Sequence, residues 1–395
     1  MDVKEKSPAP KRVKKPNILV RLAALAVTTV LILGALALVV YRDTLNLNTF
    51  KRWMTYRSLE TSATGEAAPF PHAGGGKLSV AYLQDGVVTA SAAGAHYYGL
   101  DGEQLAEEVI SLDNPVLDAS RTTAVVYDAG NQSLFVFRNS AESFRLTLEG
   151  SNDLLSARVS DGGWLAVTAQ QSRHKGAVSV YDSRGQEVIG IGLTTAFTVD
   201  AAVSPDHKTV AIITMGQEGG SFFSRLLLFP VNQKEPSAQV DLGSLMVLDL
   251  DYEDGLIWVL GEDRLMMIHT EDMSVQTYSF SPSYLKGCSL GGDGFAFLLT
   301  GRYRSGGATQ AIVISGADHS ARSIDLSGQI LDFAAGGEYC ALLYGSRLVL
   351  YDQTLTQYAR LDNPQAARKL DLAPNGSALL ANDQQAWLYI PQQGT

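Results

Sequence analysis

Five aspartates, Asp118, Asp200, Asp249, Asp332 and Asp371, recur at one place in a repeating pattern, where the remaining repeats put Ser79, Ser156 and Gly287. Carboxylates gathered near one axis could do either of two things. They could offer hard oxygen ligands to a cation or polar ligand, or accept backbone N–H groups that an unpaired strand edge leaves open. Glycan hydrolysis would need two carboxylates with separated acidities, and Asp200 with Asp249 is the pair that could serve as acid and base. Equivalent positions in a ring do not supply that separation. A second group of residues lies in three long segments, 169–177, 215–225 and 300–310. They carry Arg173, His174, Lys175, Phe222, Phe223, Arg225, Arg302, Tyr303 and Arg304. Basic and aromatic side chains on an acidic chain suggest a ligand-binding face, although surface loops are often polar without function.

Other motifs fall away on inspection. The stretch 249–255 (DLDYEDG) begins like a calcium loop, but Asp254 stands where glycine is needed and Leu260 where the bidentate glutamate belongs. Gly74-Gly75-Gly76-Lys77 lacks the hydroxyl residue and preceding strand of a phosphate loop. Ser160-Asp161-Gly162-Gly163-Trp164 reads as a turn. The six histidines show no ligand spacing and no nucleophile partner. Cys288 and Cys340, the only cysteines, read as buried thiols, with a bridge between neighbouring repeats as the alternative. No cofactor or metal is expected.

The elements that must position these residues are strands. From Lys77 onward a unit of about forty residues repeats: an apolar strand, a Gly/Asp turn, a second very apolar strand, a loop, and a third strand ending near an aromatic residue. Its third strands include LFVFRN (134–139), VSVYDSRG (178–185) and LVLYDQ (348–353), and a weaker fourth strand follows most of them. Four short strands per unit predict an all-β protein, a β-propeller of eight four-stranded blades, or seven if a terminal repeat packs elsewhere. The last repeat lacks a fourth strand, and residues 67–72 are placed to supply it. The first strand of each blade would line the central tunnel, and the three long segments would emerge as loops on one face.

The N-terminal region reads differently. Leu22 to Tyr41 is an uncharged apolar stretch, long enough for one transmembrane helix. Ala35-Leu36-Ala37 resembles a signal cleavage site, but Leu38-Val39-Val40 continues the apolar run, which favours an uncleaved anchor. Residues 1–43 hold eight basic and three acidic groups within a chain of net charge −10, so the remainder is strongly acidic. Seven of those basic residues precede the span, which predicts a cytoplasmic tail over 1–21 and an extracytoplasmic bulk in the cell membrane. The acidic bulk argues against nucleic-acid binding. Residues 42–76 read as a juxtamembrane amphipathic segment, with Trp53 and Tyr56 as headgroup anchors, followed by a linker.

Phe50-Lys51-Arg52-Trp53, Thr55-Tyr56-Arg57 and the stretches SLDNPVLDAS and AAVSPDHKTVAII carry a resemblance over nearly the whole chain. The chain resembles an uncharacterised family of membrane-anchored, propeller-like proteins of Gram-positive bacteria, catalogued as a domain of unknown function. At the level of fold it is similar to quinoprotein-type propellers. The resemblance implies a membrane tether and a propeller but no chemistry. The expected role is a binding or scaffolding module engaging an envelope polymer or protein, with an envelope glycan-processing enzyme as the alternative.

Overall fold

The computed structural model describes residues 25, 27–29, 47–150 and 152–392. The chain divides into two compact units, Met1–Met54 and Thr55–Thr395. The expected span over 22–41 lies outside the described residues except for Leu25 and residues 27–29. Among the described residues no helix is long and apolar enough to cross a membrane. A helix at Leu47–Tyr56 exposes Phe50, Trp53 and Met54. Tyr56 corrects an expectation: it is buried, and its hydroxyl donates to that of Tyr82 at 3.0 Å, so it serves the second unit and not a headgroup layer.

The second unit is a ring of eight four-stranded antiparallel sheets. The innermost strands are Ser79–Leu83, Pro115–Ala119, Leu154–Val159, Phe197–Val203, Val247–Glu253, Tyr284–Gly292, Ile330–Gly336 and Lys369–Leu372, blades 1 to 8 in order. Second strands such as Leu256–Gly261, Tyr339–Tyr344 and Ala378–Ala381 are buried along their whole length. Neighbouring blades cover both of their faces, which is why they read as unbroken apolar runs and not as alternating ones. Eight apolar clusters follow, one at each seam between blades. The core is therefore distributed around the ring.

The eighth blade is completed from the other end of the chain. Phe70–Pro71 pairs with Gln385–Tyr389 through Phe70↔Ala386 and Pro71↔Gln385, and a bridge joins Glu66 to Tyr389. Part of the expected linker is thus built into the closure, with Phe70 buried against Tyr98 at 5.4 Å. Innermost strands run from one rim of the ring to the other. One rim gathers the turns between second and third strands and the connections between blades; the opposite rim gathers the remaining turns. We call the first the open rim and the second the closed rim.

Candidate functional site

At the closed rim, Arg121 from blade 2 reaches Asp293 from blade 6 at 3.3 Å, and lies 4.0 Å from Asp161 of blade 3. Blades 2 and 6 face each other across an eight-blade ring. Side chains from opposite walls touch there, so one ion pair spans the ring at that rim.

Inside the tunnel the aspartates do not form one ring. In blades 3 to 7 a β-bulge immediately precedes Ser156, Asp200, Asp249, Gly287 and Asp332. A bulge inserts one residue and re-aims the side chain that follows it. Blades 2 and 8 have no bulge, and their pairing sets Asp118 opposite Val125 and Asp371 opposite Leu379. In register, those positions match Arg158 opposite Ala166 and Asp251 opposite Trp258, one step deeper than Asp200 opposite Ile213. Two tiers result. Asp200, Asp249 and Asp332 stand nearer the open rim, and Asp118, Asp251 and Asp371 stand below them with Arg158 and Ser289.

Most of these groups bond across seams. The carboxylate of Asp118 accepts the N–H of Val159 at 2.8 Å, Asp332 that of Leu370 at 2.9 Å, and Asp371 that of Tyr82 at 2.7 Å. The Ser289 hydroxyl does the same for Ala335 at 2.9 Å. Each acceptor lies one blade before its donor, so the groups stitch successive innermost strands, whose inward edges have no other partner. Blades 3 to 5 use charge instead. The Arg158 guanidinium donates to Asp200 at 2.7 Å and also binds Asp249 of the blade beyond. The Ser156 hydroxyl donates to Asp200 at 2.7 Å. One guanidinium thus holds Asp200 and Asp249 alike, which gives them a shared role and not the division an acid/base pair requires.

The innermost strands approach less closely between blades 5 and 6 than at the other seams. There Cys288 lies beside Asp249 and Asp251, whereas on the blade 7 side the room that Gly287 leaves is filled by the Phe333 ring. Desolvation, joined by Glu253 and Asp249, pushes the Asp251 carboxyl up to about 7, against a lowering by Arg158. Burial likewise raises Asp118 and Asp371 to about 6. Both cysteines are free thiols, and burial raises each, so they sit as inert apolar groups. Among the described residues no group of His, Cys, Asp or Glu is arranged to hold a metal ion.

The open rim is built otherwise. The segment 215–225, expected as a loop, is a hairpin: Thr209–Glu218 and Ser221–Pro230 pair continuously to Glu218↔Ser221. Gly219 and Gly220 both have positive φ, 58° and 86°, which a two-residue turn of this hand requires. Phe223 is held over Gly216 and under Arg225, whose guanidinium is 4.0 Å from the ring centroid and 3.0 Å from Glu218. Phe222 is 69% exposed beside it. Residues 170–175 and 302–309 are true loops. Arg173, His174, Lys175, Arg302, Tyr303 and Arg304 are exposed on them, with one side of the His174 ring against Gly192 of its own blade. The nine predicted residues therefore share one rim, on blades 3, 4 and 6, with Phe223 half-buried.

Sequence reasoning missed much of this surface. Among the described residues twelve large apolar side chains of the second unit are exposed, and ten lie at the open rim, among them Phe197, Met215, Met246, Leu248 and Tyr284. The available signal was an apolar residue just where a blade begins, as in AFTVD (196–200) and LMVLD (245–249), a place where a connection is normally polar.

These features define an eight-bladed β-propeller with an ion pair spanning one rim and exposed apolar and basic residues on the other. The chain belongs to the Family of unknown function (DUF5711), which matches residues 55–280. No curated protein sequence matches it. Among solved structures it is similar to BamB from Moraxella catarrhalis at 13% identity and TM-score 0.48, covering 79% of this chain and 96% of that one. A chain of the mitotic checkpoint complex gives 14% identity and TM-score 0.47 over 70% and 90% of the two chains. The C-terminal WD40 domain of Sif2 gives 12% and 0.43 over 72% and 98%. The blade count rests on the sheet topology itself.

Proposed function

We propose that this protein is a binding or scaffolding module, held by a single membrane span on the outer side of the cell membrane, whose open rim engages a component of the envelope. The observation that carries the reading is the concentration of exposed apolar residues on one rim of an otherwise polar ring. A contiguous exposed apolar patch on a folded domain marks an interaction site more often than a neutral surface. The basic residues before the apolar stretch 22–41 support the orientation.

Two measurements on the full chain in its own membrane test this. A cysteine at Ser62 should react with a membrane-impermeant reagent on intact cells and one at Ser7 should not; labelling at position 7 removes the tether from the proposal. A photo-crosslinking residue at Met246 should give a discrete adduct that the same residue at Val188, exposed on an outer strand, does not. Equal adducts from both positions would mean that the open rim binds nothing in particular.

A further inference from the structure

We infer that the occupant of the open rim is a protein segment carrying both apolar side chains and carboxylates, and not a polyanion. The inference deepens the binding reading and rests on it. Three observations support this chemistry.

The first is access. In the second unit the chain starts at the closed rim, where the Tyr56 hydroxyl meets Tyr82 near the end of its innermost strand and accepts from Asn375 at 3.3 Å. It then climbs along blade 8 through Glu66 and Phe70 to reach the open rim before Ser79. The closing strand lies on the outer side of that blade, so the apolar residues of the open rim on blades 3 to 6 stay uncovered within the second unit.

The second is the balance of surface. Phe197, Met215, Phe222, Met246, Tyr284 and Tyr303 are each more than a third exposed. Phe197 and Met215 are register partners. The Ser224 hydroxyl donates to the Leu245 carbonyl at 2.6 Å, which ties the Phe222 hairpin to the connection bearing Met246. This part of the patch is continuous, and a paired ladder holds it, so little ordering cost falls on binding. A polyanion without apolar groups would leave that surface in water, where each buried side chain could otherwise contribute about 1.5–3 kcal/mol.

The third is charge complementarity. Among the described residues Arg173, Lys175, Arg302 and Arg304 pair with no carboxylate. Lys175 instead sits 5.5 Å from the Phe197 ring centroid and donates to the Thr195 carbonyl at 3.2 Å. Uncompensated cations beside exposed rings suit a partner whose carboxylates flank aliphatic or aromatic residues.

The test uses the full chain in neutral-lipid nanodiscs with four probes: a synthetic peptide alternating glutamate with leucine and tryptophan, polyglutamate of equal charge, polyglycerol phosphate, and anionic vesicles. The mixed peptide should bind at least about tenfold more tightly than polyglutamate. Phe222→Ser with Met246→Ser should erase that margin, and Arg302→Ser with Arg304→Ser should weaken binding and flatten its salt dependence. Both double variants keep the buried core, and an unchanged melting temperature reports that they fold. If polyglycerol phosphate or the vesicles bind as tightly as the mixed peptide, or if the apolar pair changes nothing, the inference is overturned. It falls alone if the Met246 crosslink still forms; loss of that crosslink overturns the binding reading too.

Discussion

The two rims of this ring are made by the same eight blades and answer different demands. At the closed rim the chain turns tightly, and short polar residues bond their own backbone. Asp182, for instance, accepts the N–H groups of Arg184 and Gln186 at 2.9 Å, and Asp352 those of Thr354 and Thr356 at 2.8 and 2.9 Å. Those carboxylates satisfy local donors and reverse the chain, as side chains of this kind do in turns generally. At the open rim such bonds recur, as where Asn382 accepts the N–H groups of Gln384 and Gln385 at 2.9 Å, but other features are added. A hairpin is extended, two loops lengthen, and apolar residues occupy connections that would otherwise be polar. What differs between the rims is apolar exposure: among the described residues ten of the twelve exposed large apolar side chains of the second unit lie at the open rim, beside cations such as Arg302 and Arg304 that no carboxylate meets.

The tunnel between them offers the sharpest way to break this contrast. If its aspartates are stitches, then Asp332→Ala strips the acceptor from the N–H groups of both Leu370 and Phe333. That should cost about 1–3 kcal/mol in denaturant unfolding. Calcium added to the wild-type chain should leave the melting temperature where it was. A calcium-dependent rise that Asp200→Asn and Asp249→Asn abolish would instead make the tunnel a ligand site and the open rim only its doorway.

A smaller effect separates stitched from unstitched carboxylates. Asp251 titrates near 7 in the folded protein against an ordinary 3.8, so the folded state holds its proton more tightly than the unfolded chain does. Stability from this group is greatest at low pH and declines as pH rises from about 4 to about 7. Asp251→Asn removes the titration. Asp251 is only partly buried, and solvent screens a charge of that kind, so the variant should exceed the wild type at pH 8 by only on the order of 1 kcal/mol. At pH 5 the difference should close. A variant that loses stability at every pH would assign Asp251 a seam bond like that of Asp371.

The ring itself was legible in the sequence because its period, its buried second strands and its missing last strand are all features of residue order. The split of the aspartates into two tiers was not. The aligned first strands look alike, and only the bulges before Asp200, Asp249 and Asp332, absent in blades 2 and 8, shift the pairing by a step. Arg158 was overlooked for a related reason: a lone arginine in a strand gives no hint that it reaches two blades. The open rim was half legible. Long polar segments pointed to Arg173, Phe222 and Arg302, but Gly219-Gly220 extends a hairpin there, and the exposed connections near Phe197 and Met246 read as ordinary strand beginnings.

The smallest effect concerns the rims directly. Arg121→Ala removes the pair that spans the closed end, in which both side chains are more than half exposed. Such exposed pairs contribute about 0.2–1 kcal/mol, because water screens the charges and two long side chains must be held still. The melting temperature should fall slightly, and less in high salt, where screening has already weakened the pair. Binding at the open rim should not change, since the tunnel is crossed again by Arg158 between the two ends. Phe222→Ser should behave in the opposite way: an exposed side chain supports no core, so stability should hold within about 0.5 kcal/mol while binding falls. If instead Arg121→Ala weakens binding of the mixed peptide, the rims are coupled through the tunnel. The contrast between the two rims would then have to give way to a single through-ring site.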